Sequence, residues 1–463
     1  MNALIGGLLA VLTAAVAVAE WGGGYVFWWT ADALVLPLLA LLAIGATRSG
    51  KLFLVVGGCL SLAAFGLRAD GLSLLDHALQ SAAFIAAFFT ALATLRNVSA
   101  SSASIAHAGR FLAQQPPGRR YLALTLGGQL FGLLLNYGAL VLLGGLAEAN
   151  ARTEPDAEIR RHRIRRMLLA IQRGFVATLP WSPIAFAMAI STSVIPGADW
   201  ADAALPCLVS GLIVAGVGWA MDSIFKPKLS RPAPTRRPPE GSWRLIWPLI
   251  FLLFVLTVGV ISFQMIGDVR TVAAVMVVVP LLSLAWLIAQ KPDPGTDEAS
   301  LATRLIARVQ NYLTLDLPGY RSELLLLMMA GFIGSLGGKL LLPVMATSGV
   351  DLSVAPAWLL LLGLVWVIPL TGQIGMNPIL SVSLIGPLLP AAADMGVAPA
   401  DIILAITAGW ALSGASSPYT ATTLLIGSMG GVSAEHVGRT WNGAYTLSCG
   451  VALSGWVLVN VAT

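Results

Sequence analysis

Serine and proline residues interrupt two long apolar segments of this chain, and the interruptions are its most informative chemistry. Ser182 and Pro183 lie at the centre of the first segment, and Ser417 and Pro418 lie at the centre of the second. In lipid a freed backbone N–H or C=O group is costly, so such a break is tolerated only inside protein or against a water-filled cavity.

The two segments, residues 166–196 and 401–431, align with each other without a gap. The matching pairs are Leu169 with Leu404, Ala170 with Ala405, Ile171 with Ile406, Gly174 with Gly409, Phe175 with Trp410, Thr178 with Ser413, Ser182 with Ser417 and Pro183 with Pro418. Two breaks at corresponding places in two halves of a chain are the best sequence indication of a transport site. The alternative interpretation is a pair of ordinary proline kinks.

Broken helices can bind either sign of charge. The N-terminus of a half-helix offers free N–H groups and a positive dipole end to an anion, whereas unwound carbonyl groups suit a cation. Hydroxyl groups at the breaks could complete the coordination of either an anion or a cation, or could bond to their own backbone. The candidate substrate- or ion-binding residues are Asn136, Tyr137, Gly138, Thr178, Trp181, Ser182, Pro183, Thr371, Gln373, Asn377, Pro378, Ser413, Ser416, Ser417, Pro418, Thr420 and Thr422. The sequence does not identify a metal ion, and sodium is one candidate, near Asn136, Ser182, Asn377 and Ser417.

Composition places these segments in a membrane. The 463 residues are 57% hydrophobic and 11% charged, whereas a soluble domain has about 25% charged residues. Apolar runs of roughly 18 to 25 residues recur along the chain, which predicts an all-α polytopic membrane protein with about 11 transmembrane helices and two re-entrant hairpins. The predicted helices are 3–19, 28–47, 52–67, 76–95, the broken span 166–194, 203–224, 245–265, 271–289, 322–343, the broken span 401–431 and 441–461.

Loop charge predicts the two hairpins. The apolar run 121–146 has arginines on both flanks, so the positive-inside rule predicts a cytoplasmic hairpin with its turn at 135–138. The run 357–389 lies in a stretch without Lys or Arg, which predicts a hairpin entering from outside with its turn near 371–378. Each half then reads helix, hairpin, broken helix, helix, with opposite loop charge, as an inverted-topology repeat requires.

These features divide the chain into six predicted regions. They also predict a multi-pass protein of the plasma (inner) membrane with its N-terminus in the cytoplasm. The regions are N-terminal scaffold helices 1–68, repeat 1 at 69–225, a Pro-rich cytoplasmic linker at 226–243, scaffold helices 244–297, an amphipathic surface helix at 298–320 and the inverted repeat 2 at 321–463.

Few ionisable side chains are expected at membrane depth. Asp76, Glu148 and Asp222 fall near helix ends, so we expect no proton relay of the Asp/Glu/His kind. Lys339 is the one ionisable residue expected inside a span, either as a counter-charge for an anion or snorkelling to the interface.

At this point the chain resembles the ion transporter superfamily, which includes divalent-anion/sodium symporters and arsenite and sodium/proton antiporters. The resemblance covers residues 25–463 as an architecture, and the matching site residues are Asn136, Asn377, Ser182, Pro183, Ser417 and Pro418. It implies eleven spans, two inverted repeats, and an elevator movement of hairpins and broken helices against a scaffold.

The expected function is secondary transport of a small anion, an organic carboxylate first, coupled to a gradient of Na⁺ or H⁺. A cation/proton antiporter and an inorganic oxyanion efflux pump are the alternatives on the same scaffold. An intramembrane enzyme would need a HExxH motif, paired aspartates or a Ser/His pair at membrane depth, and none stands out in the sequence. We expect the lipid bilayer, the anion and a second copy of the chain in a homodimer as partners, with no nucleic acid and no cofactor beyond the coupling ion.

Overall fold

The structure is a computed structural model that describes residues 1–226, 241–290, 301–349 and 351–462. Within these ranges every regular element is helical. The α-helices are α1 (Asn2–Glu20), α2 (Tyr25–Ala43), α3 (Arg48–Leu67), α4 (Gly71–Ala100), α5 (Ala103–Ala113), α6 (Pro117–Leu135), α7 (Gly138–Arg152), α8 (Ala157–Val176), α9 (Phe186–Val194), α10 (Trp200–Ile224), α11 (Trp247–Gly267), α12 (Thr271–Ala289), α13 (Leu301–Asn311), α14 (Leu317–Gly319), α15 (Arg321–Ser348), α16 (Ala357–Gln373), α17 (Pro378–Ile385), α18 (Pro399–Ser416), α19 (Ala421–Gly430) and α20 (Gly443–Ala462). Two π-helical turns, Tyr312–Asp316 and His436–Trp441, lie between them.

The fold class is that of an all-α polytopic membrane protein. In the described ranges ten helical segments are long and apolar enough to cross a membrane, and α18 with α19 count as one of them. The remaining predicted span, 166–194, corresponds to the second half of α8 followed by α9. Most of the predicted linker 226–243, and residues 298–300 of the predicted surface helix, lie outside the described residues.

Both predicted hairpin regions contain two helices joined by a short turn. Helices α6 and α7 pack against each other and are joined by Asn136 and Tyr137. Helices α16 and α17 are joined by residues 374–377. Each half of the chain therefore contains a long helix (α4 or α15), two shorter helices around a turn, an interrupted helix and a final helix (α10 or α20), in that order.

The helices form two compact units. Unit 1 comprises residues 1–101, 256–352 and 379–389. Its centre is α4, which packs against α1, α2, α3, α12 and α15. At the contact of α4 with α15, a Cβ on Gly331 would lie 2.2 Å from Cδ1 of Ile85, so a larger residue there would require the Ile85 side chain to move.

Unit 2 comprises residues 102–255, 353–378 and 390–463 and contains both interrupted helices. In this unit α6 packs against α8, and α16 packs against α18. A Cβ on Gly174 would lie 2.2 Å from the carbonyl oxygen of Thr125, and one on Gly409 would lie 2.7 Å from that of Leu364. The two contacts involve glycines that the sequence alignment pairs, so both copies pack an interrupted helix against the first helix of a hairpin region in the same way.

Candidate functional site

Both predicted breaks are present in unit 2. Helix α8 ends at Val176 and α9 begins at Phe186, so Ser182 and Pro183 lie in the nine-residue irregular segment between them. Helix α18 ends at Ser416 and α19 begins at Ala421, with Pro418 in the gap. Proline lacks a backbone N–H group and cannot continue the hydrogen-bond ladder, which explains the position of each interruption.

The two interrupted helices meet at their breaks. A Cβ on Gly414 of α18 would lie 3.2 Å from both Leu179 Cδ1 and Val176 Cγ1, at the end of α8. On another side of this break, a Cβ on Gly211 of α10 would lie 2.6 Å from Trp181 Cδ1. The first break is therefore enclosed by α18 and α10, and the Trp181 side chain packs against α10.

The second break is joined to the end of α16. The hydroxyl of Ser417 donates a 2.6 Å hydrogen bond to the carbonyl oxygen of Gly372 and accepts one of 3.3 Å from the backbone N–H of Tyr419. The amide of Gln373 donates to Ser416 Oγ over 3.3 Å. The hydroxyl of Thr371, the residue before Gly372, donates to the carbonyl oxygen of Ile368 in its own helix.

Most other hydroxyl groups at the breaks bond to nearby backbone carbonyls. Thr422 donates to the carbonyl of Gly414, and Thr420 and Thr423 both donate to that of Ser417, over 2.9 and 2.6 Å. The hydroxyl of Thr178 donates to Phe175 over 2.7 Å, and Ser416 donates to Leu412 over 2.8 Å. For these residues the local backbone role, and not a ligand, accounts for the hydroxyl.

Two predicted hydroxyls differ from the rest. The side-chain oxygens of Ser182 and Ser413 have no hydrogen-bond partner among the described residues, and the residues are 1% and 0% exposed. A buried hydroxyl without a partner is unfavourable, so each such group requires an explanation. An oxygen of a bound anion, or a bound cation, would satisfy each of these hydroxyls, which makes Ser182 and Ser413 the strongest binding candidates.

The two turns use different residues to reverse the chain. Asn136 has φ of 51°, and it and Asp268 are the non-glycine residues with positive φ in the described chain. Asparagine is among the few residues that tolerate this region, so its backbone role is established independently of any ligand. The neighbouring Tyr137 ring lies 5.4 Å from that of Phe175, between centroids, and Gly138 begins α7.

In the other turn Gly375 takes the positive φ, at 96°. Asn377 lies two residues after Gly375, and Pro378 begins α17. The conformation of this turn therefore does not explain why residue 377 is an asparagine, and the prediction that Asn377 binds a ligand stays a prediction.

The prediction that Lys339 alone would be ionisable inside a span is wrong, because Arg173 lies in α8, three residues before its end. Arg173 is 5% exposed. Its guanidinium donates to Asn442 Oδ1 (3.1 Å), the Tyr121 hydroxyl (3.2 Å) and the Trp441 carbonyl (3.4 Å). Its Cζ lies 4.2 Å from the centroid of the Tyr445 ring.

All of these partners are neutral, and no Asp or Glu of the described chain forms an ion pair with Arg173. Asn442 also donates to Gln172 Oε1 over 2.9 Å and to the Ala415 carbonyl over 3.2 Å. This network connects α8, the end of α18 and the segment before α20 around one uncompensated positive charge. In the sequence, Arg173 follows six arginines, of which Arg152 ends α7 and the other five lie in the first half of α8. Arg173 therefore looks like one more member of a basic cluster, and the sequence does not show that its environment is different.

Asp32 corrects the expectation that acidic residues are almost absent from membrane depth. It is the eighth residue of α2, one of the ten apolar helices, and is 9% exposed. It belongs to unit 1 and not to the site at the breaks.

No family model and no curated protein matches this chain. Solved structures do match. The YdaH transporter of Alcanivorax borkumensis, described as having an unusual topology, is 16% identical with a TM-score of 0.60, over 89% of this chain and 98% of its own. MtrF of Neisseria gonorrhoeae, described as illuminating a class of antimetabolite efflux pumps, is 15% identical with a TM-score of 0.54, over 92% of this chain and 98% of its own. The chain is therefore an all-α polytopic membrane protein that shares its fold with two solved membrane transporters.

Proposed function

We propose that this protein is a secondary active transporter of a small anion, with an organic carboxylate as the first candidate. The observation that carries the proposal is the meeting of two interrupted helices at their breaks, around Gly414, with the unpaired buried hydroxyls of Ser182 and Ser413 in the two break regions. Interrupted helices in corresponding positions of two halves are typical of substrate sites in transporters that work by alternating access.

Charge supports an anion as the substrate. The Arg173 guanidinium is buried among neutral groups, and a positive charge in that position is best compensated by an anionic ligand. Helices α9 and α19 both begin without a side-chain cap, at Ala185 and Thr420, so neither N-terminus has an internal oxygen from a cap in place of a substrate oxygen.

An elevator movement is part of the proposal. Unit 2 holds both interrupted helices, the first hairpin and α16, and hydrogen bonds such as that from Ser417 to Gly372 link these elements internally. Such a unit can move as one body and carry a bound anion with it. Membership of the ion transporter superfamily, the inner membrane as location and a Na⁺ or H⁺ gradient as energy source remain part of the same proposal.

Export is the second candidate for the direction of transport. The solved MtrF structure is described in terms of antimetabolite efflux, and its fold extends over 92% of this chain. We therefore include amphipathic organic acids of the antimetabolite kind, beside simple carboxylates, among the substrates to be tested.

The first test measures thermal stabilisation of the purified protein across a panel of organic and inorganic anions, with and without sodium, at two pH values. A ligand that binds only the folded state raises the apparent stability by mass action. Uptake and efflux of the stabilising anion are then measured in proteoliposomes. Stabilisation by cations alone, with no response to any anion, would replace this proposal with a cation/proton antiporter.

Arg173 provides the charge test within this experiment. Arg173→Gln should lower anion affinity at least tenfold, because it removes the positive charge, whereas Arg173→Lys should retain more of the affinity. Arg119→Gln, which changes an exposed arginine at the start of α6, is the matched control and should bind as the wild type does. Unchanged affinity in a folded Arg173→Gln variant would remove Arg173 from the site.

A further inference from the structure

Asp32 is a buried carboxyl group without a partner. Both of its carboxylate oxygens are inaccessible and neither has a hydrogen-bond donor among the described residues. The residues that flank it on the inward face of α2, Ala31 and Val35, are fully buried and apolar. An aspartate is rarely retained in such surroundings unless it is functional.

The groups that face Asp32 lie on α4. Its carboxyl group interacts with Asp76 and Gln80. The amide of Gln80 donates a hydrogen bond of 3.0 Å to Asp76 Oδ2, and among the described residues no donor, Gln80 included, makes a hydrogen bond of normal geometry to Asp32. Asp76 itself is exposed to the surroundings of the protein. Asp32 therefore faces a second carboxyl group that is in contact with the exterior.

The basic groups on helices that pack against α2 compensate other acids. Glu20 at the end of α1 pairs with Arg270, which directly precedes α12, over 2.5 Å, and Arg68 after α3 pairs with Asp70 over 2.9 Å. Lys339 of α15 interacts with Asp70. His77, next to Asp76, is exposed. None of these groups forms an ion pair with Asp32 in the part of the chain that the structure describes.

Other charged residues of the same helices lie near the opposite end of α2. A Cβ on Gly45, which follows α2, would lie 3.9 Å from a guanidinium nitrogen of Arg321 at the start of α15. Glu323 is on the first turn of that helix, and Arg48 and Lys51 are on the first turn of α3. These groups are too far along the bundle to neutralise Asp32.

We propose that Asp32 and Asp76 form a proton-binding site in which Asp32 holds the proton and donates it in a hydrogen bond to Asp76. A second unpaired negative charge at this position would be both desolvated and repelled by Asp76, and one proton removes both penalties. Two facing carboxyl groups that share one proton are the known solution to such a geometry. The proton enters and leaves this site through Asp76, which is exposed near the start of α4.

The site also supplies a coupling ion, an extension that rests on the transport function proposed above. A proton bound at Asp32 is a chemically defined alternative to sodium. The tests of proton binding and of coupling are therefore kept separate, so that failure of one does not decide the other.

Infrared spectroscopy of the full-length protein tests proton binding directly. The wild type should show the carbonyl stretch of a protonated carboxylic acid at neutral pH, Asp32→Asn should lose it, and Asp76→Asn should keep it. Asp268→Asn, at an exposed turn of the same unit, is the matched control and should leave the band unchanged. A wild type without the band, or a band that survives in Asp32→Asn, overturns the proposal.

The pH dependence of thermal stability gives a second readout. If the folded state binds the proton and the unfolded state releases it, the folded state binds more protons and stability falls as pH rises. The folding equilibrium should then change by up to about tenfold per pH unit in the wild type. Asp32→Asn, which resembles the protonated group, should lose this dependence and be the more stable protein at alkaline pH. Identical pH profiles of folded wild type and variant would contradict the site.

Coupling is tested in proteoliposomes with whichever anion is transported. An imposed pH gradient should accelerate wild-type transport, and in Asp32→Asn that acceleration should be lost. If the infrared band behaves as expected but transport ignores the pH gradient, the proton site stands and its role as the coupling site is overturned.

Discussion

Equivalent hydroxyls of the two copies have different partners. Thr178 and Ser413 occupy matching positions, yet Thr178 bonds to the Phe175 carbonyl and Ser413 has no partner among the described residues. In the other matching pair the roles are reversed, since Ser417 bonds to the Gly372 carbonyl and Ser182 is unpaired. Each copy therefore has one hydroxyl that is hydrogen-bonded to a backbone carbonyl and one that has no partner among the described residues. This asymmetry suits a single ligand shared by two breaks that are not chemically identical.

The pair Ser417 and Ser413 gives a prediction about stability. Ser417→Ala removes the bond to Gly372 and should lower stability by about 1 kcal/mol, whereas Ser413→Ala removes no bond and should change it little. Thermal unfolding in the absence of ligand measures both. Ser428→Ala, on the exposed side of α19, is the common control. Equal losses in both variants would mean that the Ser413 hydroxyl has a structural role.

The same variants should rank in the opposite order for binding. Loss of the unpaired hydroxyl in Ser413→Ala or Ser182→Ala should weaken binding of the stabilising anion about tenfold, because a hydrogen bond to a charged group is worth roughly 1.5 kcal/mol. Ser417→Ala should retain most of the affinity once its lower stability is taken into account. The measurement is the concentration of anion that produces half of the maximal thermal shift. Wild-type affinity in both Ser413→Ala and Ser182→Ala would exclude these two serines from the site.

At the scale of the elements, the breaks and the turns were predictable because their signals are local. The sequence alone shows a Ser-Pro pair inside an apolar run, and it shows arginines on both flanks of another run. Neither signal requires knowledge of the fold. Arg173 and Asp32 were not predictable in this way. Whether a charge in a helix meets water, an ion pair or a neutral network depends on neighbours such as Asn442, which is 269 residues away in sequence from Arg173. The partner of each Ser or Thr hydroxyl is equally non-local.

Glycine contacts give the prediction that belongs to this scale. Gly174→Ala and Gly409→Ala place a methyl group 2.2 and 2.7 Å from backbone oxygens of α6 and α16, so each should destabilise the protein by more than 1 kcal/mol. A Cβ on Gly216 of α10 would meet nothing within 4 Å, and Gly216→Ala should be neutral or stabilising, because alanine is the better helix former. Thermal unfolding of the three variants checks this. Equal stability of all three would show that α8 does not approach α6, and α18 does not approach α16, as closely as these distances indicate.

At the scale of the whole molecule, the inverted topology remains a prediction from loop charge. A cysteine at position 136 should react with an impermeant reagent from the cytoplasmic side, and one at position 377 from the outside. Cys59 is exposed and must be replaced first, whereas Cys207 and Cys449 are buried. The variant that lacks Cys59 and carries no introduced cysteine is the control, and it should not react with the reagent.

Reaction of both cysteines from the same side would contradict the inverted repeat but would leave the meeting of the two breaks intact. The two results are independent, because the first concerns the orientation of the chain in the membrane and the second concerns packing inside unit 2. The labelling result therefore shows from which side of the membrane each turn can be reached.

The paired glycine contacts also affect how relatives of this protein can be recognised. Where a glycine faces backbone atoms, no larger residue fits, whichever side chains surround it. Fewer substitutions are therefore tolerated at such a position than at an apolar side-chain contact. Two solved structures share this fold at 15% and 16% identity, where overall similarity carries little information. We expect relatives of this protein to retain glycine at the positions of Gly174 and Gly409 after most other matches between the two copies have been lost.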